Sequence, residues 1–293
     1  MNIAIVGPGA IGSLWASYLT EAGHQVNLWS RQPAAKLTIQ RDQYAQQSLL
    51  NNNTQALQQS DVILVTLKAP SVLTVLSAIA KHIDQDSIIV LMHNGMGTAE
   101  GVNALLPNNP LLLATTTHGA YRPSMTQVLH TGYGQTLLGA ANSQGELCQF
   151  LVDVFNHALS DVTWHSNINQ ALWTKLAINC AINPLTAIHQ VTNGELVQPH
   201  YQQQLQNIVN EVSLVMNAEG FEIDVNHLLQ TVNNVIHATS NNYSSMEQDI
   251  AHQRRSEIDF ITGYLLESAS RHNIDAPYNQ ALYQAVKKIE QSW

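Results

Sequence analysis

Cysteine is scarce in this chain, with two in 293 residues. Cys148 and Cys180 lie far apart, each in an apolar helical stretch and neither in a CxxC pair, which reads as reduced core thiols. Positive charge is scarce too. The 12 Lys and Arg against 21 Asp and Glu give a net charge of -9, so the chain has no basic footprint for nucleic acid or an anionic membrane. Any small anion must be met by a few local cations. No apolar run approaches the roughly 20 residues that span a bilayer, and no charged segment with a long apolar one precedes the first strand. A cytoplasmic protein with a small-molecule partner is expected. The 13 histidines are scattered, without HExxH or other ligand spacing, so no metal site is expected. Low-complexity linkers and internal repeats are also missing.

What the chain does have is apolar content, 45% of its residues, enough for two domains with their own cores. The apolar run Asn2 to Val6 leads into Gly7-Pro8-Gly9-Ala10-Ile11-Gly12 and then a helical pattern through Leu14, Trp15, Tyr18 and Leu19. Strand, GxGxxG and helix in that order form a dinucleotide cradle: the glycines allow a tight turn and close approach to a pyrophosphate, and the helix N-terminus favours its charge. A second strand, Gln25 to Trp29, ends in Ser30-Arg31 where an acid would bind the ribose of NAD. An arginine and a hydroxyl there suit the 2′-phosphate of NADP(H), the bland alternative being a solvated loop arginine. A polar stretch from Gln40 to Gln59 holds a short strand near Tyr44 to Leu50. Asp61 to Leu67 is a buried parallel strand with Lys68 at its C-terminal end, where open α/β sheets bind ligands. Ser87 to Met92 is another, ending in His93-Asn94-Gly95-Met96-Gly97, which makes Asn94 a candidate contact to cofactor or substrate. Leu111 to Thr117 is a further strand. Gln127 to His130 and Gln135 to Leu138 read as an antiparallel pair joined through Thr131-Gly132-Tyr133-Gly134. Glu146 to Leu159 reads as a helix and Val162 to Trp164 as the last strand.

From about Asn167 onward the pattern is helical. The expectation is therefore an α/β Rossmann-type dinucleotide-binding domain over residues 1–165, followed by an all-α domain over 166–293. Ala171 to Ile188 sets one lysine and two asparagines in an apolar helix. At about 100° per residue, Lys175, Asn179 and Asn183 fall within an arc of roughly 80°. An ammonium and two amides on a buried stripe grip an oxygen-rich molecule, or else pair with a carboxylate and with backbone. Asn193-Gly194-Glu195-Leu196 resembles a helix start, and helices are expected over Gln206 to Ala218 and His227 to Ser240. A long helix from Ser244-Ser245 to about Ser270 carries the stripe Met246, Ile250, Ile261, Tyr264 and Leu265, with Glu257 near its centre. That acid is either paired with Arg254 or shares a site with Lys175. Ser245 is a helix cap or a donor to a substrate carboxylate.

Taken together, GPGAIG, VTLKA around Lys68, HNGMG around Asn94, TTTHGA over Thr115 to Ala120, LWTKLAINCAINPLTAI around Lys175, NGEL at Asn193, SSMEQDI and RRSEIDFITG resemble the ketopantoate reductase (2-dehydropantoate 2-reductase) family over nearly the whole chain. The resemblance implies NADPH-dependent reduction of 2-dehydropantoate to pantoate, in pantothenate and coenzyme A biosynthesis. It implies Lys175 as general acid and Asn179, Asn183, Asn193 and Ser245 as substrate contacts. Asn94 is implied for substrate and cofactor, and Gly7 to Gly12, Arg31, Lys68, Ala120 and Glu257 for cofactor. The state expected is monomer or homodimer. Pro70-Ser71 departs from the family, which often has a longer polar side chain three residues after the cofactor lysine. Two rival readings remain open: another two-domain NADP-dependent 2-hydroxyacid dehydrogenase, and a non-catalytic NADPH sensor.

Overall fold

In the computed structural model, which describes residues 1–293, the opening apolar run is strand β1 (Asn2–Val6), with Ile3 to Val6 wholly buried. A strand covered on both faces has no polar side to alternate with, hence the unbroken run. Then come α1 (Ala10–Glu21), β2 (Gln25–Trp29), β3 (Lys36–Arg41), β4 (Gln47–Asn51), α2 (Thr54–Gln58), β5 (Val62–Val65), α3 (Ala69–Ile79), β6 (Ile88–Leu91), α4 (Ala99–Leu105) and β7 (Leu111–Thr116). Strands β4-β2-β1-β5-β6-β7 lie side by side and parallel. This is the strand order of a doubly wound nucleotide-binding sheet, with its reversal between β1 and β5. β4 is the strand expected near Tyr44 to Leu50. β3, α2, α3 and α4 are additions to the sequence reading.

The last part of the sheet is β8 (Gly119–Tyr121), β9 (Gln127–Gly132), β10 (Thr136–Ala140) and, after α5 (Leu151–Ala158), β11 (Val162–Trp164). The expected pairing of Gln127 to His130 with Gln135 to Leu138 is not made. β9 joins β3 and β8, while β10 lies antiparallel to β7 and parallel to β11. At Gly134 the chain runs against Thr117: a Cβ there would stand 2.6 Å from the Thr117 carbonyl carbon. Just ahead of the β7–β10 ladder, Thr117 N–H donates to the Gln135 carbonyl and Gln135 N–H to Thr117 Oγ1, both at 2.9 Å. Splitting the two strands covers two otherwise unpaired edges, those of β7 and β3. The helix expected over Glu146 to Leu159 starts as a 3-10 turn, Gly145–Cys148, before α5.

By packing, the chain divides into two units, residues 1–93 with 98–171 and residues 94–97 with 172–293. The second unit is all-helical: α6 (Ile168–His189, from Leu172 onward), a 3-10 turn at Asn193–Val197, α7 (Pro199–Ala218), α8 (Val225–Ala238), α9 (Ser245–Ala251), a 3-10 turn at Ile258–Phe260, α10 (Thr262–Arg271) and α11 (Pro277–Glu290). Its core takes Leu205, Ile208 and Val212 from α7, Val232 and Ile236 from α8, Leu265 from α10 and Val286 from α11. No helix is long and apolar enough to cross a membrane.

The long helix expected over Ser244 to Ser270 is broken. α9 ends in a left-handed residue, Gln253 (φ +50°), with Gln253 N–H donating to the Ile250 carbonyl (3.0 Å) and Arg254 N–H to the Asp249 carbonyl (2.8 Å). That pair of bonds is a Schellman closure, which satisfies the last carbonyls of the helix. Glu257 therefore lies outside any helix, just before the second 3-10 turn. Arg254 pairs with Asp249 at 3.3 Å.

Candidate active site

The glycine loop occupies the switch point between β1 and β5. Gly7 has φ +90°, and a Cβ on it would come within 2.6 Å of Leu67 Cδ2. A Cβ on Gly12 would come within 2.6 Å of the Gly7 carbonyl oxygen. First and third glycines are thus fixed by geometry, the first by the turn and the third by packing of helix on loop. Gly9 caps α1 without a side chain, its carbonyl taking the Ser13 N–H at 2.9 Å. The amides of Ala10, Ile11 and Gly12 form the helix N-terminus, the ordinary seat of a pyrophosphate. Pro8 turns its carbonyl away to accept from Ser13 Oγ (3.1 Å) and from the Arg122 guanidinium. These residues fit a dinucleotide.

Around that loop, Arg31 is exposed just after β2. The turn carrying it is braced by two asparagines: Ser30 Oγ donates to Asn51 Oδ1 and Ser30 N–H to Asn52 Oδ1, both at 2.9 Å. Lys68 is an exposed residue that caps α3 with an extended backbone, and Pro70 occupies the first turn, where its missing N–H costs no hydrogen bond. Ala120 sits in β8 at a bulge, opposite His130. Arg31, Lys68 and Ala120 belong to the first unit. Asn94 and Glu257, grouped with them on sequence, belong by packing to the second. Asn94 leads a short segment in which Met96 N–H donates to the Phe260 carbonyl at 2.8 Å. Gly95 there has φ +81° and no room for a side chain, since a Cβ would lie 2.7 Å from Phe260 Cβ.

In the second unit the polar stripe of α6 is as expected: Lys175 and Asn179 are half-buried and Asn183 is 6% exposed. Pro184 lies inside the helix and leaves the Cys180 carbonyl without its usual N–H partner. Burial pushes the Lys175 ammonium down to about 8, with the Glu257 carboxylate opposing. Desolvation therefore outweighs the attraction of the acid. Glu257 is itself only 8% exposed. Asn193 is buried, donates through Nδ2 to Thr239 Oγ1 (2.9 Å), and keeps a buried Oδ1 with no hydrogen bond. An orphaned buried amide oxygen is expensive in a finished core and fits a ligand-facing position. The cap of α9 is Ser244, whose Oγ accepts from Glu247 N–H (3.0 Å) and lies 2.8 Å from Thr186 Oγ1. Ser245, the next residue, is exposed. Of its two sequence readings, the cap passes to its neighbour.

Two residues were missed on sequence. Arg122 stands two positions after Ala120, so its proximity to a named cofactor contact was the available signal. Glu290 holds the segment before Glu257 by accepting from Ser256 N–H (2.8 Å) and Ser256 Oγ (2.7 Å). A pairing between residues 34 apart leaves no sequence signal.

Comparison with known proteins adds to this geometry. Residues 3–143 match the family model described as Ketopantoate reductase PanE/ApbA, and residues 167–290 match that of its C-terminal domain. The chain belongs to the ketopantoate reductase family. Within it, the 2-dehydropantoate 2-reductase of Vibrio cholerae is 50% identical, covering 100% of this chain and 99% of that one. The 2-dehydropantoate 2-reductase of Escherichia coli O157:H7 is 40% identical, over 100% and 96%. The solved ketopantoate reductase from Ralstonia eutropha superposes with a TM-score of 0.89 at 27% identity, over 100% and 99%. A D-mandelate dehydrogenase solved with NADH and anilino(oxo)acetate gives 0.91 at 24% identity, over 100% and 99%, a likeness of fold alone.

Proposed function

We propose that this member of the ketopantoate reductase family is a 2-dehydropantoate 2-reductase, an NADP-dependent oxidoreductase that reduces 2-dehydropantoate to pantoate on the route to pantothenate and coenzyme A. The observation that carries the reading is Lys175, an ammonium whose pKa is brought near 8 on a buried helix that also carries two amides. NADPH, when bound, supplies a hydride to the keto carbon. Lys175 gives its proton to the carbonyl oxygen as the C=O π pair moves onto it, so that no bare alkoxide forms in dry surroundings. Asn179, Asn183, Asn193 and Ser245 hold the substrate, with Asn94 shared between substrate and cofactor. Gly7 to Gly12, Arg31, Lys68, Ala120 and Glu257 serve the cofactor. In this division residues 1–165 bind NADPH, and residues 166–293 bind substrate and supply the acid. The enzyme works in the cytoplasm as a monomer or homodimer, without a nucleic-acid partner.

The test is NADPH oxidation with 2-dehydropantoate against a panel of 2-keto acids. Highest kcat/KM is expected for 2-dehydropantoate. The likeness of fold to a D-mandelate dehydrogenase favours one rival, a 2-hydroxyacid dehydrogenase of other specificity. Faster turnover of 2-keto acids lacking the branched hydroxymethyl group would replace the first reading with that one.

A further inference from the structure

Arg122 lies in the connection between β8 and β9, and its guanidinium donates to two backbone carbonyls, those of Pro8 in the glycine loop and of Met125. Neither acceptor carries a charge. Burial pushes its pKa down, and no neighbouring acid offsets that. A half-desolvated guanidinium with no counter-charge is costly unless an anion completes it, and the two carbonyls leave the rest of its N–H donors unused.

The location says which anion. The 122–126 connection is tied to the β2–β3 side of the sheet. Gln32, the residue after Arg31, reaches Met125 Sδ at 3.8 Å, and Gln40 N–H donates to the Thr126 carbonyl at 2.7 Å. In a doubly wound sheet the end of β2 receives the adenosine ribose, while the pyrophosphate takes the amides at the start of α1. A cation beside Pro8 on the β2 side therefore faces the ribose end of the dinucleotide, and the anionic group at that end is a 2′-phosphate.

We infer that Arg122 is a second 2′-phosphate-binding arginine, acting with Arg31 to select a 2′-phosphorylated dinucleotide. This rests on the NADPH reading above and deepens it. Arginine suits the role because its fork accepts two phosphate oxygens at once.

The test uses fragments that lack the nicotinamide, so turnover does not enter. Binding of adenosine 2′,5′-bisphosphate and of 5′-AMP is measured by calorimetry on the full-length protein and on Arg122→Gln. The unmodified protein is expected to prefer the bisphosphate. In Arg122→Gln, bisphosphate binding is expected to weaken about tenfold or more, the scale of one charge-assisted hydrogen bond, while 5′-AMP binding stays within about twofold. Unchanged bisphosphate binding overturns the inference. So does an equal loss for both ligands, which would make Arg122 a support of the glycine loop. If the unmodified protein shows no preference, the NADPH reading falls along with this one, whereas a preference untouched by the substitution removes Arg122 alone. Arg122→Met, which keeps the aliphatic stem, repeats the measurement under the same criteria if the glutamine variant melts early.

Discussion

At the scale of single residues, the decisive quantity is the acidity of Lys175. A lysine with its pKa at about 8 is protonated below that pH and is a stronger acid than a free one, which suits proton donation near neutrality. The turnover number for keto-acid reduction should fall as pH rises through about 8. Glu257→Gln removes the charge that raises this pKa, so the inflection should move to lower pH; an unmoved profile would separate Glu257 from the acid. Lys175→Ala should lower turnover by roughly 10²-fold or more while leaving NADPH affinity nearly unchanged. Circular dichroism and a melting curve establish that the variant is folded, and near-normal turnover in it would end the mechanism. Asn179→Ala and Asn183→Ala should raise the Michaelis constant more than they lower turnover, since they hold substrate in ground and transition states alike. Arg31→Ala should narrow the preference for NADPH over NADH, read from initial rates with each cofactor.

At the scale of elements, the break between α9 and α10 shows where the sequence is legible and where it is not. Periodicity correctly assigned Met246, Ile250, Ile261 and Leu265 to the core, because burial repeats with the helix turn on both sides of the break. It missed the break because the closure depends on Gln253 adopting a left-handed backbone, which glutamine does not advertise as glycine would. Strands β1, β5, β6 and β7 were readable because each is a short, mostly buried run closed by a turn. β3, with half its residues partly exposed, lacked that signal. The false β9–β10 hairpin had good turn residues, but tertiary demand for edge partners decided the pairing. Glu257 owes its place to the tether from α11, so Glu290→Ala should act at a distance. Leaving the Ser256 N–H and hydroxyl without their acceptor should cost about 1–3 kcal/mol in urea unfolding. Turnover should drop as well, and NADPH binding should weaken, because Glu257 serves the cofactor; a stability loss with full turnover and unchanged NADPH binding would make the tether purely structural.

At the scale of the whole molecule, a histidine pair in the first unit sets an acid limit on stability. His118 Nδ1 accepts from Gly134 N–H (3.1 Å) and lies 3.2 Å from His130 Nε2, while Tyr18 Oη lies 2.9 Å from His130 Nδ1. With both rings neutral, Tyr18 donates to His130 and His130 donates to His118, and a proton on His118 Nδ1 would face two donors. Burial lowers both pKa values below the usual 6.5; the partner histidine lowers His118 further, Arg41 lowers His130, and Asp161 and Asp42 only partly oppose. The folded chain thus favours the neutral forms. Their contribution is complete above pH 6.5 and is lost as pH falls below it. The melting temperature should drop between about pH 7.5 and 5.5 by less in His118→Asn than in the unmodified protein. Equal drops would place the acid sensitivity elsewhere.

The short excursion from Asn94 to Gly97 limits how the gene can be cut into parts. Because the chain passes into the second unit and back before β7, three peptide bonds, not one, join the units: 93–94, 97–98 and 171–172. A fragment ending at Ala171 carries four residues that belong to the other unit, and a fragment starting at Leu172 lacks the Met96 N–H for the Phe260 carbonyl. Neither piece is expected to fold as a self-sufficient module. Co-expressing the two halves is a better route to soluble material than expressing either alone, and the excursion is a poor site for an inserted tag.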